Sequence, residues 1–302
     1  MPGTRYLKDR LGLYLLFSAV VTSFAAIVLF LPYDTLYLRD RMYLRIFLIT
    51  IILCVGVFIF GCVYNALLWM RGRGLVGTPE RRLLGMIPRV IRFAGRRLGG
   101  VTSAFAMDAV YLSKLKGRSL TRWSMHLLIL GGFLLMFLLD LVTTFSLDIA
   151  KYGPMIQDDG WAKLWIRDFG LDLAGLMMFA GLMIAFVRRF VLRPKIVRTE
   201  LPDAASVLFL LAVVVGGFLL EGMGIAGRIP GHESNQIYSF LGYAFSSVMP
   251  ASVGQYYDQA WLVHGVMSAL LIAYIPFSKL FHMIATPIAI EAEKMFPSEV
   301  RH

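Results

Sequence analysis

Six times along the chain charged residues become sparse for twenty or more positions. The apolar runs cover 11–31, 43–70, 123–149, 164–190, 205–227 and 259–288, each long enough for a helix to cross a bilayer core. None alternates with the period of two of an outer-membrane strand, and backbone groups in hydrocarbon must hydrogen-bond within their own segment, so the runs predict helices. The expected fold is an all-α membrane protein with six transmembrane helices. Residues 1–42 form an N-terminal anchor helix and outer loop. The first run is too long for the apolar part of an ordinary signal peptide and is expected to be retained.

Composition agrees: 58% of the 302 residues are hydrophobic, 16% are charged and the mean hydropathy is +0.70. A net charge of +11 would point to nucleic acid in a soluble protein, but its placement here points to membrane topology instead. Residues 71–122 carry twelve Lys or Arg against Glu80 and Asp108, 188–203 carry five against Glu200 and Asp203, and the first ten residues carry three against Asp9. The other three connections are neutral or slightly acidic. The positive-inside rule places both termini and both basic loops in the cytoplasm. Within the basic loop, PERRLLGMIPRVIRFAGRRL (79–98) interleaves arginine with apolar residues. It reads as an interfacial segment on anionic lipid, as a platform for an acidic soluble subunit, or as both.

The last run, QAWLVHGVMSALLIAYIPFSKLFHMIATPI (259–288), contains His264 and His282 eighteen positions apart. On one continuous helix that is five whole turns, which puts both imidazoles on one face about 27 Å apart. A histidine inside a membrane is costly unless it lines a site, so this stripe predicts two metal-bearing cofactors. His126, one turn into the third span, matches the depth of His282. Met136, ten residues or about 15 Å further on, matches the depth of His264. Methionine is a competent haem ligand, although with 16 Met in the chain it also reads as packing. Asp140, Asp172 and Glu221 fall toward the outer half, where an ionisable group would take protons from a quinol. Arg167 and Asp168 read as interfacial charges that snorkel, His232 as a solvated loop histidine, and His302 as free. Cys54 and Cys62 read as small buried hydrophobes rather than ligands.

The PFSKLFH run with its two histidines resembles the last span of the nitrate reductase gamma subunit family, as does RRFVLRPKIVRTELPDAASVLF and the His126 segment. The resemblance covers about 43–302, a five-helix cytochrome b core to which the first helix is an addition. That addition and the long basic loop bring the chain nearer to related cytochromes of membrane-bound heterodisulfide reductase and of sulfate-reducer redox complexes. It implies haem b held by His126 and His282 on the cytoplasmic side and by His264 on the outer side. The family's fourth ligand is a histidine where this chain has Met136. The outer haem is therefore held by His264 and Met136, is five-coordinate, or is absent. Lys163 falls where the family has a lysine near an outer quinol site.

The reading that follows is an electron-transfer subunit of an oxidoreductase complex, between a quinone pool or a periplasmic multihaem cytochrome c and a cytoplasmic iron–sulfur subunit docked on the basic loops. No nucleic acid is implied. The runner-up is a haem-free transporter using the intramembrane His, Asp and Glu as a proton relay; no internal repeat or paired broken span favours it.

Overall fold

In the computed structural model the protein is described over residues 41–69, 116–117, 119–146, 150–157, 159–192, 201–232, 237–282 and 285. Every regular element there is helical, and five segments are long and apolar enough to cross a membrane: Met42–Asn65, Leu120–Thr144, Lys163–Leu192, Asp203–Ala226 and Ala251–Phe277. They correspond to the second through sixth apolar runs. The expected first helix, the basic segment 79–98 and His302 lie outside the described residues.

The described residues divide between two compact units, one drawn from Ile52–Ser113 and Ile272–His302, the other from Val28–Ile51 and Lys114–Leu271. Helix α1 (Arg41–Trp69) contributes to both. The larger unit holds α2 (Leu120–Thr144), the single turn α3 (Gly153–Ile156), α4 (Gly170–Phe186), α5 (Leu201–Ala226), α6 (Phe240–Ser246) and most of α7 (Tyr257–Tyr274). Ser119 starts α2 by accepting a hydrogen bond from the Arg122 N–H at 3.4 Å. A π-helical run, Lys163–Phe169, leads into α4, and a second, Val187–Leu192, leaves it. Arg189 in that exit pairs with Asp203 of α5 at 3.2 Å.

Water drives little between helices in lipid, so close backbone approach has to supply the packing. The α2–α4 seam is built that way. A methyl group on Gly132 would lie 2.7 Å from Met178 Cγ and 2.8 Å from the Ala174 carbonyl, and one on Gly181 would lie 2.9 Å from the Ile129 backbone nitrogen. Ala174, Gly175, Met178, Gly181, Leu182 and Ala185 of α4 are all buried. On α1 the exposed residues Met42, Ile46, Ile49, Leu53, Val57, Phe60 and Tyr64 recur every three or four positions, a stripe suited to lipid.

The last apolar run is not one continuous helix. α7 ends at Tyr274, a 3-10 turn follows over Ile275–Phe277, Ser278 is extended at φ −118° and ψ 172°, and a second 3-10 turn covers Lys279–Phe281. Pro276 cannot donate to the helix ladder, which explains the break. The five-turn alignment of His264 with His282 therefore does not hold, because the count assumed α-helical rise throughout.

Candidate functional site

The three ligand candidates differ in what fixes their rings. The His126 ring contacts the Arg122 carbonyl oxygen through Nδ1 at 2.8 Å, and the His282 ring contacts the Lys279 carbonyl oxygen through Nδ1. A carbonyl oxygen only accepts, so in both histidines Nδ1 carries the hydrogen and Nε2 presents its lone pair. That is the arrangement by which a backbone group orients a metal-ligating imidazole. His126 belongs to the larger unit and His282 to the smaller.

His264 lies against α5. A methyl on Gly216 would stand 3.3 Å from its Nδ1, a tight approach, and one on Gly217 would stand 3.5 Å from its Cε1, an ordinary contact, so the ring packs directly over this glycine pair. Its Nδ1 is buried with no hydrogen-bond partner among the described residues. A buried polar atom in that state costs free energy on the order of 1–3 kcal/mol. An unsatisfied ring nitrogen beside a bare glycine pair fits a site built for an added planar group. Met136 is half-buried, and its methyl comes 3.5 Å from the position a Gly175 side chain would take, where the Phe218 ring also packs.

Of the four residues considered for quinone and proton chemistry, two are brought together. Asp172 Oδ2 accepts the Leu241 N–H at 2.7 Å, and the Gly242 N–H also bonds this carboxyl. The Glu221 carboxyl hydrogen-bonds Asp172 on one side and Ser239 on the other. Gly242 permits this, since any side chain there would collide with the Glu221 carboxyl. Lys163, in the π-helical run before α4, is almost fully buried at 1% exposure, 3.7 Å from Asp168. Asp140 lies on α2.

Arg167 and Asp168 do not snorkel as isolated interfacial charges. Asp168 is buried, Arg167 Nε lies 3.9 Å from its Oδ1, and Arg167 Nη2 donates to the Gly231 carbonyl at 2.9 Å. Folding brings the loop after α5 back over them. His232 is not a solvated loop residue for the same reason: its ring packs on Gly224, and its Nε2 lies 2.9 Å from the Tyr257 hydroxyl. Desolvation, with Arg167 and Lys163 nearby, pushes its pKa down to about 3, so it is neutral at physiological pH. Ser239, Leu241, Gly242 and Tyr257 were not candidates in the sequence, where nothing marks residues in and around the short α6 or at the start of α7 that meet Asp172, Glu221 or His232 only after folding. Cys54 is buried and Cys62 half-buried, in keeping with packing roles. Among the described residues no group of three or more His, Cys, Asp or Glu converges to hold a bare metal ion.

Comparison with known proteins agrees with the resemblance of the last spans. Residues 156–295 match the family described as nitrate reductase gamma subunit. The chain is 26% identical over 262 residues to a dihydromethanophenazine:CoB–CoM heterodisulfide reductase subunit from Methanosarcina acetivorans, covering 80% of this chain and 89% of that one. The heterodisulfide reductase subunit of the same description from Methanosarcina thermophila is 28% identical over 196 residues, 62% of this chain and 64% of that one. An EtfAB:quinone oxidoreductase of Syntrophomonas wolfei is 24% identical over 259 residues, 82% of this chain and 33% of the longer relative. No solved structure matches the chain.

Proposed function

We propose, from the match of residues 156–295 to the nitrate reductase gamma subunit family, that this chain is the membrane-anchoring b-type cytochrome subunit of a respiratory redox complex. It passes electrons across the cytoplasmic membrane between a quinone pool or a periplasmic cytochrome c and a cytoplasmic iron–sulfur subunit. The reductase and quinone oxidoreductase relatives support this class of assembly. The observation that carries the reading is the condition of the three imidazoles. His126 and His282 are each turned by a backbone carbonyl so that Nε2 is the presented nitrogen, and His264 keeps a buried unsatisfied nitrogen beside Gly216 and Gly217.

His126 and His282 would hold the cytoplasm-side haem, and His264 the outer haem, with Met136 its second ligand. Bound haem supplies reversible one-electron iron chemistry. The chain itself selects the ligating tautomer at His126 and His282, buries the His264 Nδ1, and handles protons at the outer end. Asp172 and Glu221 are the acceptor pair for protons released when a quinol is oxidised there, with Lys163 and Asp168 forming the polar wall beside them. The basic loops receive the cytoplasmic partner through opposite charge.

The test is a set of spectra of the purified chain and its histidine variants. His126→Ala and His282→Ala are expected to lose the same haem, and His264→Ala the other. Loss of one and the same spectral species in all three variants would remove the two-site arrangement. A chain without any Soret band would favour the transporter reading.

A further inference from the structure

We propose that Gly61 and Asn65 of α1 form a seat that fixes the break at Pro276 and so aims His282; the inference rests on His282 being a haem ligand. Ending an α-helix inside hydrocarbon frees carbonyl groups that lipid cannot satisfy, so each break needs local partners. Asn65 supplies one. Its amide nitrogen donates to the Pro276 carbonyl at 2.8 Å and to the Gly61 carbonyl of its own helix at 3.0 Å, using both N–H groups. Gly61 lies one turn earlier on the same face, as residues four apart do. A methyl there would lie 2.5 Å from Pro276 Cβ and 2.8 Å from Phe277 Cζ, so α1 reaches the break only because position 61 has no side chain.

From Pro276 the fixed geometry passes down the chain. The Ser278 hydroxyl donates to the Ile275 carbonyl at 3.0 Å, and its oxygen accepts the Leu280 N–H at 3.1 Å. The Phe281 N–H donates to the Ser278 carbonyl at 3.2 Å, and the Lys279 carbonyl accepts from the His282 ring. The carbonyl that selects the His282 tautomer is therefore three residues from the carbonyl that Asn65 holds, with both ends of the link defined. All of these residues lie in one compact unit. Asn65 thus acts as a positioning residue, through the backbone and not by touching the cofactor.

The experiment compares the full-length chain with Asn65→Leu and Gly61→Ala by amide hydrogen exchange over 275–282 and by the redox potential and low-temperature EPR of each haem. Loss of a hydrogen bond worth about 1.4 kcal/mol predicts about tenfold faster exchange at the Ser278 and Phe281 amides. The haem that disappears in His282→Ala is expected to shift its potential and EPR signal in both variants, while the haem lost in His264→Ala stays unchanged as the internal control. Folded Asn65→Leu protein with wild-type exchange overturns the seat. Faster exchange with unmoved haem signals overturns the aiming of His282. A wild-type chain that binds no haem refutes the proposed function and with it the aiming, while the exchange comparison still decides whether the seat exists.

Discussion

Two carboxyl groups that hydrogen-bond each other hold a proton between them, because two carboxylates at that range repel. Asp172 and Glu221 are such a pair. Infrared spectra of the protein are expected to show a protonated carboxyl band that shifts in D₂O and is missing in both Asp172→Asn and Glu221→Gln; a band that survives both substitutions would assign the proton elsewhere. His232 carries a separate pH signature. Its pKa of about 3 in the folded chain lies below the ordinary value of 6.5, so between those values the unfolded chain binds the extra proton and stability falls with falling pH. The slope contributed is at most about 1.4 kcal/mol per pH unit. Unfolding followed from pH 7 to 4 should be steeper for the wild type than for His232→Gln, and equal slopes would show that the ring is already solvated. At this scale the sequence marked His126, His264 and His282 by their place in apolar runs, but the spacing argument that linked His264 to His282 failed at the break after Tyr274. The sequence was not legible for Ser239, Tyr257 or the Gly242 notch, whose partners are set by how the loop after α5 folds back.

At the scale of the element, the second through fifth apolar runs marked their helices to within about five residues, since length and hydropathy decide which segments span a bilayer, while the last run was offset from Ala251–Phe277 by eight residues at its start and eleven at its end. Their internal irregularities followed from local chemistry that the apolar signal masked. Pro276 was visible in the run 259–288, yet the unbroken apolar character on either side outweighed it until the 3-10 turns and extended Ser278 appeared. The π-helical run that buries Lys163 and Asp168 left no trace in hydropathy. The α2–α4 seam offers a direct contrast between neighbouring glycines. Gly132→Ala meets Met178 and the Ala174 carbonyl at under 3 Å and is expected to destabilise by roughly 1–3 kcal/mol, read as a lower melting temperature in detergent. Gly131→Ala meets only the Met177 methyl at 3.5 Å and should leave the melting temperature near that of the wild type. Equal effects of the two substitutions would mean that the seam is not the tight contact described.

At the scale of the whole molecule, the proposed orientation of the spans rests on the charge pattern and the proposed task on the histidines. The larger unit carries His126, His264, Asp172 and Glu221, and the smaller carries Gly61, Asn65 and His282. A membrane redox role was legible because an imidazole in hydrocarbon demands a reason, and the similarity of residues 156–295 to the nitrate reductase gamma subunit family agrees with it. The second ligand proposed for the outer haem is the least legible feature. Met136 packs near Gly175 and Phe218, a place that suits a filler of space as well as it suits a ligand. The decisive measurement is the haem-to-protein ratio of the purified chain by pyridine haemochrome, with a redox titration of the α-band. Two haems b per chain with distinct potentials, the higher belonging to the His264 site, are the predicted result; a chain that binds no haem would contradict the account.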